Sequence, residues 1–245
     1  MKIAIIGQGN VGTSLQAAFA RKNVRTEWIS SHDAGQLAAL AGDEWQNSVL
    51  IYAVADCALA DVIAEVHAPK ALHLHTSGTI PITVFGDDKP HCGILYPFQT
   101  FSKAQPIDDF SAVPLIIEGR DIDDVAAIYT LALTLSPRVI EASQPDRERL
   151  HVAGVFANNF TNCMYRMAAD LLRGTQIPFS VLLPLIDQTA AKVHTLAPKD
   201  AQTGPAVRGD ENVISHHLEL LAADPKTSDC LADVYSLLTK YIQGK

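Results

Sequence analysis

The stretch IAIIGQGNVG, residues 3–12, restricts the fold of this chain more than any other feature. It places three glycines in a G-x-G-x-x-G pattern, after an apolar run typical of a strand and at the start of a helical stretch. In such a turn the first glycine permits the bend, the second lets the backbone approach a pyrophosphate, and the third lets the helix pack close to the strand. The helix N-terminus offers free N–H groups to the phosphates.

The pattern predicts a dinucleotide-binding domain; the alternative is a glycine turn without a ligand. The predicted phosphate-binding residues are Gly7, Gln8, Gly9, Asn10, Val11 and Gly12.

Up to residue 142, short apolar runs alternate with helical stretches. Several of these runs are continuously apolar, as expected for strands covered on both faces by helices. The alternation predicts a parallel, doubly wound α/β sheet, the Rossmann architecture, over residues 1–142. The predicted strands are KIAIIG, RTEWIS, SVLIYAV, KALHLHT, CGILYP, VPLIIEG and RVIEA.

After residue 142 the pattern becomes helical, which predicts a smaller all-α domain over residues 143–245. Residues 143–174 are expected to form one long helix, with Ser143 as its N-cap and Gly174 as its stop. Further helices are expected around Pro184, after Asp210 and from Asp224-Pro225. We expect this domain to bind substrate and to form a homodimer, because the long helix is apolar around much of its circumference.

Charge and composition exclude several classes of protein. The 245 residues carry a net charge of −8 without a lysine- or arginine-rich run, which argues against nucleic-acid binding. No apolar stretch approaches the length of a membrane span, and the N-terminal apolar run ends at Gly7, too early for a signal peptide. The four cysteines are scattered, which indicates reduced thiols. These features predict a cytoplasmic protein without a membrane or nucleic-acid partner.

The end of the second predicted strand indicates which dinucleotide would bind. Folds that prefer NAD place Asp or Glu there, to bond the ribose hydroxyls. Here the strand is followed by Ser30, Ser31 and His32, and the first carboxylate is Asp33. Hydroxyls and an imidazole accept a 2′-phosphate that a carboxylate would repel. The sequence therefore predicts NADP.

The ends of the third and fourth strands should complete the cofactor site, because ligands bind at the carboxyl ends of such strands. Ala53, Val54 and Ala55 are expected to cover the cofactor, and Asp56 to cap the next helix. Thr76 and Ser77 are expected beside the nicotinamide.

Two histidines in the fourth strand raise the question of a metal site. His73 and His75 alternate onto one face of the strand, but no carboxylate or third histidine completes a ligand set. We therefore predict no metal site.

Polar residues along the long helix indicate a second part of the site. His151, Asn158 and Asn162 fall on one line at about 100° per residue. Buried polar residues need partners, so this line either bonds neighbouring loops or faces the cleft between the domains. In the second case His151 exchanges a proton, and an asparagine such as Asn158 orients the substrate or the nicotinamide amide.

The loop AQTGPAVRGD, residues 201–210, interrupts the helical half. Gly204-Pro205 and Asp210 serve as helix punctuation, but neither role needs Arg208. Arg208 either pairs with a nearby acidic residue in solvent or recognises an anionic substrate with its planar guanidinium.

Five segments together resemble a known family: HTSG, YPFQTFS, RLHVAGVFANNF, PLIDQTAAKV and AQTGPAVRGD. They resemble a bacterial family of Rossmann-like proteins with a C-terminal helical domain of unknown function. More distantly, the chain is similar to pyrroline-5-carboxylate reductases, deazaflavin-dependent NADP reductases and β-hydroxyacid dehydrogenases. The resemblance implies NADP or NAD in the first domain and dimerisation through the second. β-Hydroxyacid dehydrogenases use a lysine on the long helix; here His151 is the nearest substitute.

Together these features predict an NADP-dependent oxidoreductase that acts on a small, anionic substrate in the interdomain cleft. The predicted catalytic residues are His151, Asn158 and Arg208. The alternative is a non-catalytic NADP-binding redox sensor or adaptor, which the missing lysine favours.

Overall fold

A computed structural model describes residues 2–223 and 229–245. The chain forms two compact units, Met1–Asn158 and Asn159–Lys245. The predicted domain boundary after residue 142 lies where the sequence pattern changes, whereas the compact first unit also includes residues 143–158. The predicted helix start at Asp224-Pro225 lies outside the described residues.

The first unit is built on a seven-stranded sheet, and all seven predicted strands are present. They are β1 Ile3–Ile6, β2 Glu27–Ile29, β3 Val49–Tyr52, β4 Leu72–His75, β5 Cys92–Pro97, β6 Leu115–Gly119 and β7 Val139–Glu141. Their order in the sheet is β2-β1-β3-β4-β5-β6-β7. The five strands from β2 to β5 in this order are parallel, so their carboxyl ends share one edge.

One pairing departs from the parallel sheet expected from the sequence: β5 and β6 are antiparallel. Residues 98–114, which connect these two strands, contain no helix. A parallel pair needs a long crossover, usually a helix, whereas a direct return of the chain gives an antiparallel pair. The missing crossover helix therefore explains the reversed strand.

Helices cover both faces of this sheet. They are α1 Asn10–Arg21, α2 Ala34–Ala39, α3 Asp56–Ala64 and α4 Ile122–Leu135, and a fifth helix, α5 Gln144–Gly154, follows β7. Ile3 and Ile5 belong to an apolar cluster with α1 and α4, and the alternate residues Ala4 and Ile6 belong to a second cluster with α2 and α3. Successive side chains of β1 point to opposite faces of the sheet and therefore pack into two separate apolar cores. This is the doubly wound, Rossmann-like arrangement predicted from the sequence.

The predicted long helix is helical throughout residues 144–171 but is not regular. After α5 comes a π-helical segment, Val155–Phe160, and then α6, Thr161–Leu171. Ser143 is the N-cap, and its side chain accepts a hydrogen bond from the Asp146 N–H. The wider i→i+5 turns of a π-helix break the spacing of 100° per residue on which the predicted polar line depends.

The described part of the second unit is all-helical, as predicted. After α6 it contains α7 Leu183–Lys192, α8 Pro198–Ala201, α9 Pro205–Arg208, α10 Glu211–Ala223 and α11 Asp229–Gln243. Pro184 lies in the first turn of α7, where its missing N–H costs nothing. Gly204 and Gly209 flank α9 with φ angles of 112° and 66°, which favour glycine. None of the described helices combines the length and hydropathy that a membrane span requires.

Candidate active site

The glycine turn after β1 has the geometry of a phosphate cradle. Gly7 has φ +111°, and a Cβ there would lie 2.5 Å from the Ala53 carbonyl oxygen. A Cβ on Gly12 would overlap the Gly7 carbonyl oxygen. At Gly9 the nearest such atom is 3.9 Å away, and the residue is exposed. Gly7 and Gly12 are therefore required by packing, whereas Gly9 leaves open space over the start of α1.

The start of α1 is open in the same way. Gly9 is its N-cap and offers no side-chain hydrogen bond to the first turn. Gln8 and Asn10 are exposed, and Val11 packs against the apolar cluster of α1. The Asn10 side chain accepts a hydrogen bond from the Lys103 N–H at 2.9 Å. The first N–H groups of a helix without a cap can bind an anion.

The end of β2 carries no free carboxylate. The Asp33 carboxylate caps α2 by accepting from the Gln36 N–H at 3.1 Å and from Gln36 Nε2 at 2.9 Å. Gln36 Oε1 in turn accepts from the Ser30 N–H at 2.9 Å. Ser31 is partly exposed and His32 is exposed. The nearest carboxylate is therefore engaged in a helix cap, and hydroxyls and an imidazole remain at the strand end.

The ends of β3 and β4 lie beside the glycine turn. Ala53 contacts Gly7 and Gly12, Val54 is half-buried and Ala55 is the N-cap of α3. Thr76 and Ser77 follow β4 and are each only 9 % exposed.

Asp56 has a different role from the predicted helix cap. It is the first residue of α3, after the N-cap Ala55. Its carboxylate accepts hydrogen bonds from Ser77 Oγ at 3.0 Å and Thr79 Oγ1 at 2.9 Å. Asp56 therefore positions the loop that follows β4.

A phenol–imidazole pair lies at the end of β5. Tyr96 Oη and His151 Nδ1 are joined by a hydrogen bond of 3.1 Å. A Cβ on Gly78 would lie 2.7 Å from His151 Nδ1 and 2.9 Å from the Tyr96 ring, so the pair packs directly against the backbone after Ser77. Burial raises the pKa of the Tyr96 phenol, Asp56 adds to this effect, and Arg147 opposes it. The pair can hold or transfer a proton at the edge of the sheet where the cofactor residues lie.

Arg147 is a site residue that sequence reasoning missed. Its side chain is 0 % exposed and lies one turn before His151. Nη1 donates to Glu118 Oε2 at 2.9 Å and Nη2 donates to the Ile80 carbonyl at 2.8 Å. These bonds attach α5 to β6 and to the loop after β4. The spacing of four residues between Arg147 and His151, which puts both on one helix face, is the signal that could have indicated it.

The two histidines of β4 belong to the core. His73 Nδ1 bonds the Tyr52 hydroxyl at 2.9 Å, and its Nε2 bonds the Ala68 carbonyl at 2.9 Å. His75 Nδ1 accepts from the Ser77 N–H at 3.2 Å. Burial lowers the pKa of each histidine to about 4. Both imidazoles are therefore neutral structural groups near pH 7.

The other two predicted catalytic residues are not part of this hydrogen-bond cluster among the described residues. Asn158 is exposed and lies in the π-helical segment. The Arg208 side chain is 63 % exposed, and its Nη2 lies 3.9 Å from Asp210 Oδ2. This is the solvent-exposed pairing that the sequence left open as an alternative.

Comparison with known proteins places the chain in a family. The family described as "Domain of unknown function (DUF2520)" matches residues 113–242, which is more than half of the sequence. The chain belongs to the DUF2520 family. This confirms the resemblance to Rossmann-like proteins with a helical C-terminal domain. No curated protein matches the sequence.

Solved structures resemble this DUF2520 protein over its whole length. A Bacteroides fragilis protein named as an NADP oxidoreductase is 38% identical, with a TM-score of 0.86, over 100% of this chain and 98% of that one. An imine reductase from Myxococcus stipitatus in complex with NADP+ is 15% identical, with a TM-score of 0.67, over 100% and 95% of the two chains. Plasmodium falciparum pyrroline carboxylate reductase with NADP bound is 11% identical, with a TM-score of 0.59, over 99% of each. The last two comparisons show the fold alone, and the name of the 38% identical protein agrees with the expected oxidoreductase class.

Proposed function

We propose that this DUF2520 protein is an NADP-dependent oxidoreductase that transfers hydride between NADPH and a small, anionic substrate. The observation that carries the proposal is the common edge of the sheet, where the open glycine turn and the Tyr96–His151 pair follow parallel strands. The name of the 38% identical B. fragilis protein supports NADP as the cofactor.

The residues at this edge fit NADPH, which supplies a hydride when bound. The backbone from Gly7 to Gly12 would hold the pyrophosphate, and Ser30, Ser31 and His32 the 2′-phosphate. Ala53, Val54 and Ala55 would cover the cofactor, with Thr76 and Ser77 beside the nicotinamide.

His151 would exchange the proton that accompanies hydride transfer, because it is hydrogen-bonded at this edge and only partly buried. We also propose Asn158 and Arg208 as substrate-binding residues. The weak, exposed ion pair of Arg208 leaves its guanidinium available to an anion. A substrate position between the two domains stays a prediction from the sequence, as does a cytoplasmic location.

Cofactor binding can be measured through Trp28. Its Nε1 donates to the Gly7 carbonyl at 3.0 Å, so its fluorescence should change when the glycine turn binds a ligand. We expect NADPH and NADP+ to quench the wild type at lower concentrations than NADH and NAD+. Gly9→Val should abolish quenching because its side chain fills the open space, and Trp28→Phe shows which of the two tryptophans responds.

Catalysis separates this proposal from a non-catalytic sensor or adaptor. NADPH consumption would be followed with imines, keto acids and semialdehydes. Tight NADPH binding without turnover of any compound favours the sensor, and absence of NADPH binding contradicts both functions.

A further inference from the structure

The described residues contain three tyrosine–histidine hydrogen bonds, and their surroundings differ. The Tyr52–His73 pair is fully buried, and the second nitrogen of His73 is bonded to the Ala68 carbonyl. The Tyr235–His217 pair, at 2.8 Å, joins α10 and α11 in the second unit. Of these three pairs, only Tyr96–His151 packs against Gly78, next to the residues assigned to the nicotinamide.

The geometry fixes the Tyr96 hydroxyl at this edge. The ring packs against Phe98 in a T-shaped arrangement with centroids 5.9 Å apart. Gly78 approaches both the ring and His151 Nδ1, and a Cβ at this position would displace one of them. Gly154 admits the Phe98 ring in the same way, one turn after His151. Because Gly78 and Gly154 have no side chains, α5 and β5 pack closely enough to hold the Tyr96 phenol in one place.

We propose that Tyr96 is the proton donor to the oxygen of a carbonyl substrate, and that His151 resupplies its proton. This inference rests on the proposed function. In the reduction, bound NADPH would supply the hydride for the new C–H bond, and the C=O π electrons would move to oxygen. That oxygen takes the phenol proton, leaving an alcohol, NADP+ and a Tyr96 phenolate. The phenolate then takes a proton from His151, which regains one from water.

The phenol also indicates the substrate class. Hydride addition to an aldehyde or ketone creates an alkoxide, which needs a nearby acid to neutralise it. A protonated imine becomes a neutral amine on hydride addition and needs no proton from the protein. A phenol held by an imidazole therefore fits carbonyl reduction. His151 acts through Tyr96 and is a positioning and relay residue.

The experiment compares a carbonyl with an imine, each carrying one carboxylate: succinic semialdehyde and 1-pyrroline-2-carboxylate. The test variant is Tyr96→Phe, and the matched control is Tyr235→Phe, which removes the same hydroxyl from a tyrosine–histidine pair in the second unit. For each protein, kcat, KM, the solvent deuterium isotope effect on kcat, NADPH affinity and Tm are measured. His151→Gln is a second variant in case Tyr96→Phe does not fold.

Tyr96→Phe should lower kcat for the semialdehyde at least 100-fold, roughly the contribution of a positioned acid, with KM and NADPH affinity within about threefold. The solvent deuterium isotope effect on kcat should differ from the wild-type value in both Tyr96→Phe and His151→Gln. A purely structural role of the two residues would not produce this difference. Imine turnover should fall less than about tenfold, and Tyr235→Phe should match the wild type.

Retention of semialdehyde turnover by Tyr96→Phe would overturn this inference while leaving the proposed function intact. An equal loss with both probes would also overturn it, because the phenol would then not be specific to a carbonyl. Failure of the wild type to turn over either probe, despite NADPH binding, counts against this substrate class. Failure to bind NADPH contradicts the proposed function itself.

Discussion

Gly78 has no side chain, and this leaves room for the Tyr96 ring and the His151 imidazole. An added methyl group would lie 2.7 Å from His151 Nδ1 and 2.9 Å from the Tyr96 ring, closer than packed atoms tolerate. We expect Gly78→Ala to destabilise the protein by about 1–3 kcal/mol, as for other overpacked sites, and to separate the phenol from the imidazole. Urea unfolding measures the first effect and NMR of the His151 ring the second. An unchanged His151 spectrum would show that the pair does not depend on this glycine.

Ser30 tests which groups select the cofactor. Ser30→Asp keeps an acceptor for the His32 N–H, which Ser30 Oγ accepts at 3.3 Å, and adds a negative charge at the strand end. We expect NADP+ affinity to fall at least about tenfold, because a carboxylate repels the 2′-phosphate and instead bonds a ribose hydroxyl. In the control Ser30→Asn, the new side chain has the size of aspartate but no charge. This variant should change the NADP+ affinity far less. Equal losses in both variants would attribute the effect to shape.

At the scale of single residues, the sequence predicted local features better than distant partners. The glycine turn and the serines after β2 lie within short motifs, so their positions follow from spacing. The Tyr96–His151 bond joins residues 55 positions apart, and no local pattern encodes such a pair. Asp56 was predicted as a helix cap because the sequence shows the helix start but not the loop that its carboxylate meets.

An ion pair between Arg147 and Glu118 helps to hold helix α5 to the sheet. Arg147 is fully buried against Glu118, and burial raises the pKa of Glu118 while Arg147 opposes the change. Removing one partner of such a pair leaves the other charge buried. We therefore expect Arg147→Met to lower the free energy of unfolding by about 3–5 kcal/mol.

A double-mutant cycle separates the ion pair from other effects of the substitution. Arg147→Met combined with Glu118→Gln should cost less than the sum of the single changes, because no charge stays unpaired. Arg21→Met is the control, since Arg21 pairs with Asp108 and Asp109 while half exposed. It should cost less than about 1 kcal/mol. Additive losses in the cycle would contradict the coupling.

At the scale of elements, the sequence indicated where helices and strands occur but not every detail of their geometry. The antiparallel β6 depends on a connection without a helix, and a strand's own residues do not specify its direction. The π-helical segment lies within an uninterrupted helical pattern, so the predicted line of His151, Asn158 and Asn162 assumed the wrong spacing.

The whole first unit should lose stability in mild acid. Burial lowers the pKa of His73 and of His75 from 6.5 to about 4. Between these values the unfolded chain takes up protons that the folded chain excludes, so the stabilising effect is complete above pH 6.5 and is lost as pH falls toward 4. We expect each imidazole to cost about 2 kcal/mol between pH 7 and pH 5. In urea unfolding, the free energy of unfolding of His73→Gln should therefore fall less between pH 7 and pH 5 than that of the wild type. An unfolding free energy of the wild type that is equal at both pH values would refute the prediction.

A homodimer formed through the second unit stays a prediction, and the exposed apolar residues of that unit are the reason for it. Among its described residues, the buried hydrophobic ones are Ala206 and Ile214, whereas Leu237 and Tyr241 are 68% and 83% exposed one turn apart on α11. Exposed apolar surface of this kind is typical of an interface. We expect light scattering at micromolar concentration to give twice the monomer mass of 26.4 kDa. Leu237→Glu with Tyr241→Glu should shift the protein to the monomer, because two carboxylates would be buried without partners. Leu133→Glu, at an exposed leucine of α4, should stay dimeric. A monomer mass for the wild type would contradict the prediction that a second copy of the chain covers the exposed face of α11.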